Sequence, residues 1–368
     1  LAACNGGTAK TDPTDTPSDT GGATEPDTTD PTDPTDPTDP TDPTDPTDTG
    51  DDPTTPTDTG ATETTDTGTA PADDEDGDGV PAELDCDDLD PYVQSGAWAD
   101  GVWYAAISDA VFHASVGAEV VVCAGTYEEM VILDHPVWLH GVGSGAVTVD
   151  ANGEENALVV IDLDGVVIEG LTLTGASAPS GWGGGLRAEF ANDLVLRDLV
   201  ITGNDAYTGG GLLLYQLAGA VLEDVHVVGN EADYGGGAYV YLAEATATDC
   251  SFDGNDAEYQ GGGLALTSGS TFRMERGTVV GNTADQGGGV HLYSNDEATF
   301  TEVAITTNAA SAGGAVYLAA SSTLEVADCD LGLGATENLP DDAAGTGGFS
   351  IGYYQAGSTF DCDAFSCW

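Results

Sequence analysis

Basic side chains are what this 368-residue sequence most conspicuously lacks: five lysines and arginines stand against 65 aspartates and glutamates, a formal charge of −60. Such a chain repels polyanions, so nucleic acid is excluded as a partner, whereas cations and neutral polymers are not. No apolar run approaches the roughly 18 residues that a membrane-spanning helix needs. Core-forming residues are missing from the first fifth, where Thr11 to about Thr69 is almost wholly Thr, Asp, Pro and Gly. That stretch cannot bury enough apolar surface to fold. Histidine is scarce, and His226 and His291 stand alone, without metal-binding spacing around them.

Glycine, by contrast, is plentiful and periodic. Triplets open at Gly183, Gly209, Gly235, Gly261 and Gly287, and a GGA opens at Gly313, each 26 residues after the one before. An Asn-containing turn precedes most of them, as in GNDAYTGGG, GNEADYGGG, GNDAEYQGGG and GNTADQGGG. A fixed period of this size, with alternating segments between the punctuation, predicts a solenoid in which each repeat is one coil. The expected fold is all-β, a right-handed single-stranded parallel β-helix. Alternation then sorts inside from outside. Leu212 and Leu214, Ala238 and Val240, Leu264 and Leu266, Val290 and Leu292, and Val316 and Leu318 face the core. Asn204, Asn230, Asn255, Asn282 and Asn308 fall in one column, where each amide is expected to hydrogen-bond to the next coil.

The stretch from Ile107 to Gly143 resembles the opening of pectate-lyase-like β-helices. It offers a helix from Ile107 to about Ala114, a strand from Glu119 to Cys123, the turn AGTY, and a strand leading to Gly141-Val142-Gly143. A cap is physically required, because an open first coil exposes both apolar core and unpaired backbone. From about Val166 to Ala320 the paired Asn and glycine motifs resemble the FxxN and GGA[ILV] repeats of polymorphic outer-membrane proteins and related adhesins. Phe252 alone supplies the aromatic of FxxN. The resemblance implies a place on the cell surface and a role in adhesion.

The N-terminal quarter suggests how such a domain is held. Leu1-Ala2-Ala3-Cys4 resembles a lipobox, which implies lipidation of Cys4 and a membrane contact through that anchor alone, in an outer-membrane lipoprotein of the cell envelope. Residues 5–72 read as a tether: the TDP triplets from Thr29 to Asp48 favour an extended polyproline-like chain with a contour of roughly 200 Å. Residues 73–97 begin DDEDGDGVPAELD, placing Asp74, Asp76, Asp78, the Val80 carbonyl and Asp85 at the spacing of a Ca²⁺ loop. Asp85 replaces the usual Glu, so the loop resembles those of thrombospondin type 3 repeats and dockerins. The β-helix occupies 98–368. Of the cysteines, Cys86 and Cys123 flank the entry to that domain and Cys362 and Cys367 close a loop at the end, both pairs being candidate disulfides. Cys250 and Cys329 lie three coils apart, roughly 14 Å, and are expected as buried free thiols.

Two outward columns follow the glycine triplets. One reads Arg187, Leu213, Tyr239, Ala265, His291, Tyr317; the other reads Glu189, Tyr215, Tyr241, Thr267, Tyr293, Ala319. Trp182, Tyr207, Tyr234 and Tyr259 lie in the segment just before or at the triplets. A flat face of exposed tyrosines offers rings and hydroxyls to sugars or to a protein surface. Tyr215, Tyr239, Tyr241, His291, Tyr293 and Tyr317 are the candidate binding residues. Beside them Asp205, Glu231 and Asp256 follow the column Asn in consecutive coils, about 5 Å apart, the carboxylate separation of retaining glycosidases. They are the candidate catalytic acids if the protein is an enzyme. The arginines are expected in coil-to-coil salt bridges, Arg197 with Glu223 and Arg276 between Asp249 and Glu302, which leaves no base for a lyase. The sequence therefore points to a surface-anchored, non-catalytic adhesin or glycan- or protein-binding module. A polysaccharide lyase or glycoside hydrolase, and a passive envelope protein, are the alternatives.

Overall fold

The computed structural model describes residues 95–332, 337–339 and 343–346, and the backbone of 350–353. Cys4, the tether, the proposed calcium ligands Asp74, Asp76, Asp78, Val80 and Asp85, and Cys86, Cys362 and Cys367 lie outside the described residues.

One repeat shows how the solenoid is built. After Asn204 the chain forms a short strand, Asp205–Thr208, turns at the glycines, forms a second strand, Leu212–Tyr215, and returns along a long third strand, Ala220–Val228. The next repeat lays Glu231–Tyr234, Ala238–Tyr241 and Glu244–Asp253 on these three in parallel register. Stacked coils thus make three parallel sheets, which we call the turn sheet, the cleft sheet and the long sheet in the order the chain enters them. Among the described residues they hold six, nine and 14 strands. Antiparallel pairing occurs at the N-terminal end, where Ala97–Ala99 lies between Val102–Tyr104 and Glu119–Val122.

Each glycine of a triplet is required for a different reason. Gly209 has φ +65°, a left-handed corner. At Gly210 a Cβ would stand 2.2 Å from the Glu231 carbonyl of the next coil, and at Gly211 it would stand 2.6 Å from Val227 Cγ1. The first glycine turns the chain; the other two let one coil lie against the next.

The long strands also bend, at a column of left-handed residues that includes Asp198, Asp224, Asp249, Arg276 and Glu302, with φ from 43° to 56°. Non-glycine residues rarely adopt this region, Asp and Asn being the readiest to do so. Arg276 lies in that acidic column and bonds Asp249 at 2.9 Å. Its second partner is Glu275, not the expected Glu302. Arg197 pairs across coils with Glu223 at 2.6 Å and Arg273 with Glu244 at 3.7 Å. Arg187 departs from the expected pattern by bonding Glu189 in its own strand at 2.7 Å, since both side chains point the same way two residues apart.

The core columns are where alternation places them: Leu212, Leu214, Val240, Leu264, Leu266, Leu292 and Leu318 are fully buried. Cys250 and Cys329 are buried free thiols, and burial pushes the Cys250 thiol up to about 11. Cys123 is buried and disulfide-bonded. The asparagine column runs as a ladder. Asn230 Oδ1 accepts from the Asn204 backbone at 3.1 Å and side chain at 3.0 Å, and the pattern repeats through Asn255, Asn282 and Asn308 to Asn338.

The expected cap is a helix, Ile107–His113, packed over the first coil with Ile107, Ala110 and Val111 buried. Its first-turn amides have no helical acceptor. Glu129 supplies one, taking the Ile107 N–H at 2.8 Å and the Ser108 N–H at 3.0 Å, and its negative charge suits that end of the helix.

Candidate functional site

The turn sheet and the cleft sheet meet at the glycine corner, and their outer surfaces form a trough instead of the expected flat face. Its recess encloses about 460 Å³ and is lined by Trp182, Tyr207, Thr208, Tyr234 and Gln260 from the turn sheet. The cleft sheet contributes Leu213, Tyr215, Tyr239, Tyr241, Ala265, Thr267 and His291, with Tyr293 just beyond its strand. A second recess of about 490 Å³ continues along the solenoid past Gln286, Tyr317 and Thr346, sharing Gln260, His291 and Tyr293 with the first.

Concavity changes how the candidate residues present themselves. Tyr293 is half exposed, but Tyr239 and Tyr241 are half-buried, Tyr317 is 9 % exposed and His291 only 1 %. The side chains facing away from the solenoid core are buried a second time, by the wall of the trough. Parallel register then aligns rings coil on coil. Tyr215 stacks on Tyr241, with centroids 4.7 Å apart and planes at 8°. His291 stacks on Tyr317 at 5.2 Å and 6°. Along the opposite wall Tyr207, Tyr234 and Tyr259 follow one another at 5.6 and 5.3 Å.

Burial sets the protonation of the trough. It raises the Tyr239 hydroxyl to about 12, with Tyr241 adding to the effect, and lowers the His291 imidazole to about 4. Both are neutral at pH 7, and both are displaced from the range in which a general acid or base works best. His291 Nε2 is buried without a hydrogen-bond partner among the described residues.

Asp205, Glu231 and Asp256 are direct register neighbours, as the repeat implies. They sit at the outer start of the turn-sheet strands and do not line either recess. Asp256 bonds Thr283 of the following coil. A second acidic row lies beside them, in which Asp233 has its carboxyl raised by burial and by Glu258 and Asp205. All of this is a solvated acidic ridge next to the trough. Among the described residues no group of three or more His, Cys, Asp and Glu side chains converges as a metal site.

Gln260 and Thr208 escaped the sequence reading. The signal for Gln260 was present: GNDAEYQGGG is one residue longer than GNEADYGGG. The structure absorbs that residue as a bulge, pairing Tyr234 with Gln260 in place of Tyr259.

No family model matches the chain, and no curated protein matches it. A solved structure described as an alginate lyase from Paenibacillus sp. str. FPU-7 is similar over 68% of this chain and 96% of that one, at 15% identity and a TM-score of 0.37. A likeness of that size carries no argument about activity.

Proposed function

We propose that the trough binds neutral glycans and that the protein is a non-catalytic adhesin or glycan-binding module. The observation that carries this reading is the lining of the first recess. Six tyrosines, a tryptophan and a histidine supply ring faces, Thr208, Thr267 and Gln260 supply hydrogen bonds, and no Lys, Arg, Asp or Glu takes part. Aromatic faces pack against sugar C–H surfaces while hydroxyl and amide groups meet the sugar rim. A chain of charge −60 that offers no cation in its cleft repels acidic polysaccharides. Hydrolysis or elimination needs an acid–base pair within reach of the bound chain. The carboxylates Asp205, Glu231 and Asp256 stand outside the recess, and Tyr239 and His291 are displaced from neutral titration.

Surface display belongs to the same proposal: Cys4 would carry the lipid, residues 5–72 would hold the domain away from an outer membrane, and Ca²⁺ at Asp74, Asp76, Asp78, Val80 and Asp85 would stiffen the junction. Disulfides Cys86–Cys123 and Cys362–Cys367 fit an exported protein.

The test is a glycan array probed with the fragment from Asp73 onward, with calcium and with chelator, beside assays for reducing ends and unsaturated products. Binding of neutral glycans that drops at least about tenfold in each of Tyr239→Ala, Tyr241→Ala and Tyr293→Ala, without product, is the expected result. Product release that disappears in Asp205→Asn or Glu231→Gln would overturn it in favour of an enzyme.

A further inference from the structure

The aromatic columns of the cleft sheet are interrupted in one coil. Ala265 pairs in register with Tyr239 on one side and His291 on the other. Thr267 is the partner of Tyr241, and Tyr293 follows it in the next coil, its backbone N–H bonded to Leu266. Where two rings do succeed each other in these columns they stack within 6° to 8° of parallel. Ala265 and Thr267, 3 % and 8 % exposed at the floor of the recess, thus stand where such a ladder would carry two more rings. The strands on either side of this coil are about 9.6 Å apart, twice the strand spacing. A ring inserted midway would lie about 4.8 Å from each wall, close to the 4.7 Å at which Tyr215 stacks on Tyr241.

The edges of this gap decide what kind of ring it suits. His291 Nε2, at one wall, is buried with no partner among the described residues, a state that folded proteins avoid unless something else completes the bond. A hydrocarbon or aromatic ring would fill the gap and leave that nitrogen unsatisfied. A sugar ring presents C–H faces to the two walls and hydroxyls around its rim. No ionised side chain lines the recess to meet a charged substituent.

We infer that the coil Leu264–Thr267 is a missing-rung slot that takes one neutral pyranose ring, held between Tyr239 and Tyr241 on one side and His291 and Tyr293 on the other, with a sugar hydroxyl on His291 Nε2. The inference deepens the glycan-binding reading of the same trough and rests on it. A gap one coil wide and closed at the floor admits a terminal or branch residue end-on; the flank of an unbranched chain cannot enter it.

The experiment supplies the absent rung. Ala265→Tyr continues the stack, so the protein should melt at or above the wild-type temperature while its affinity for neutral gluco-, manno- and galacto-oligosaccharides falls at least about tenfold. Ala265→Gly, which leaves the slot open, should bind. If Ala265→Tyr does not fold, Thr267→Phe in the same slot replaces it. His291→Phe keeps the wall and removes the nitrogen: across a series of monodeoxy sugars, one position should cost wild type about tenfold and cost the variant nothing. A folded Ala265→Tyr protein that binds as wild type would overturn the slot, while weakened Tyr239→Ala binding would still uphold the trough. Deoxy sugars that weaken wild type and His291→Phe equally would remove His291 from the contact. Wild type that binds none of the neutral sugars removes both readings.

Discussion

The asparagine column and the aromatic columns are two answers to one geometry. Both run along the solenoid at one residue per coil, but the inner column is buried throughout while the outer ones range from buried His291 to half-exposed Tyr293. The inner column has the same residue in every coil from Asn204 to Asn338, each amide closing hydrogen bonds to the next. The outer columns change from coil to coil, from Leu213 to Tyr239, Ala265, His291 and Tyr317, and contain an imidazole nitrogen that nothing among the described residues satisfies. Where every coil has the same need, it has the same residue. Where the residue varies from coil to coil, stacking does not dictate it, and the proposed ligand site lies there.

That contrast breaks most sharply at the ladder itself. Asn255→Ala would leave the Val227 carbonyl and the Asn230 backbone N–H without their partners, now held at 2.9 Å each. Each buried orphan costs about 1–3 kcal/mol, so the variant is expected to lose about 2–6 kcal/mol in denaturant titration. A loss under about 1 kcal/mol would mean that water replaces the amide and that the column is not the frame we take it to be.

His291 should show the opposite signature, a cost borne by the native protein. Its folded pKa of about 4 lies below the ordinary 6.5 because burial disfavours the cation. The stability it contributes is therefore complete above about pH 6.5 and disappears as pH falls through 4, when the unfolded chain takes up the proton first. The change amounts to about 3 kcal/mol across that interval. His291→Phe should flatten this part of the wild-type stability profile; an unchanged slope would show that the ring opens to water before the protein unfolds.

The surface ion pairs should matter least. Arg197 and Glu223 bond at 2.6 Å but are both about half exposed, so Arg197→Gln is expected to shift stability by less than about 1 kcal/mol and to leave glycan binding unchanged. A large effect there would move functional weight from the trough to the long sheet.

A period of 26 residues, alternation within it and a recurrent Asn were enough to predict the parallel β-helix, its core columns, its ladder and its two free thiols, while the capping helix was expected from the resemblance of Ile107 to Gly143 to pectate-lyase-like openings. These follow from local rules repeated many times: strand side chains alternate, and identical coils stack like on like. The candidate binding residues were also legible as columns. Their presentation was not. Tyr293 is exposed and His291 is not because the angle between two sheets at the glycine corner decides whether an outward side chain meets water or a second wall. The same tertiary fact moved Asp205, Glu231 and Asp256 to an outer ridge and turned two small residues, Ala265 and Thr267, from gaps in a pattern into the floor of a slot. Periodicity specifies which residues share a column; only the closing of the sheets against each other specifies what that column faces.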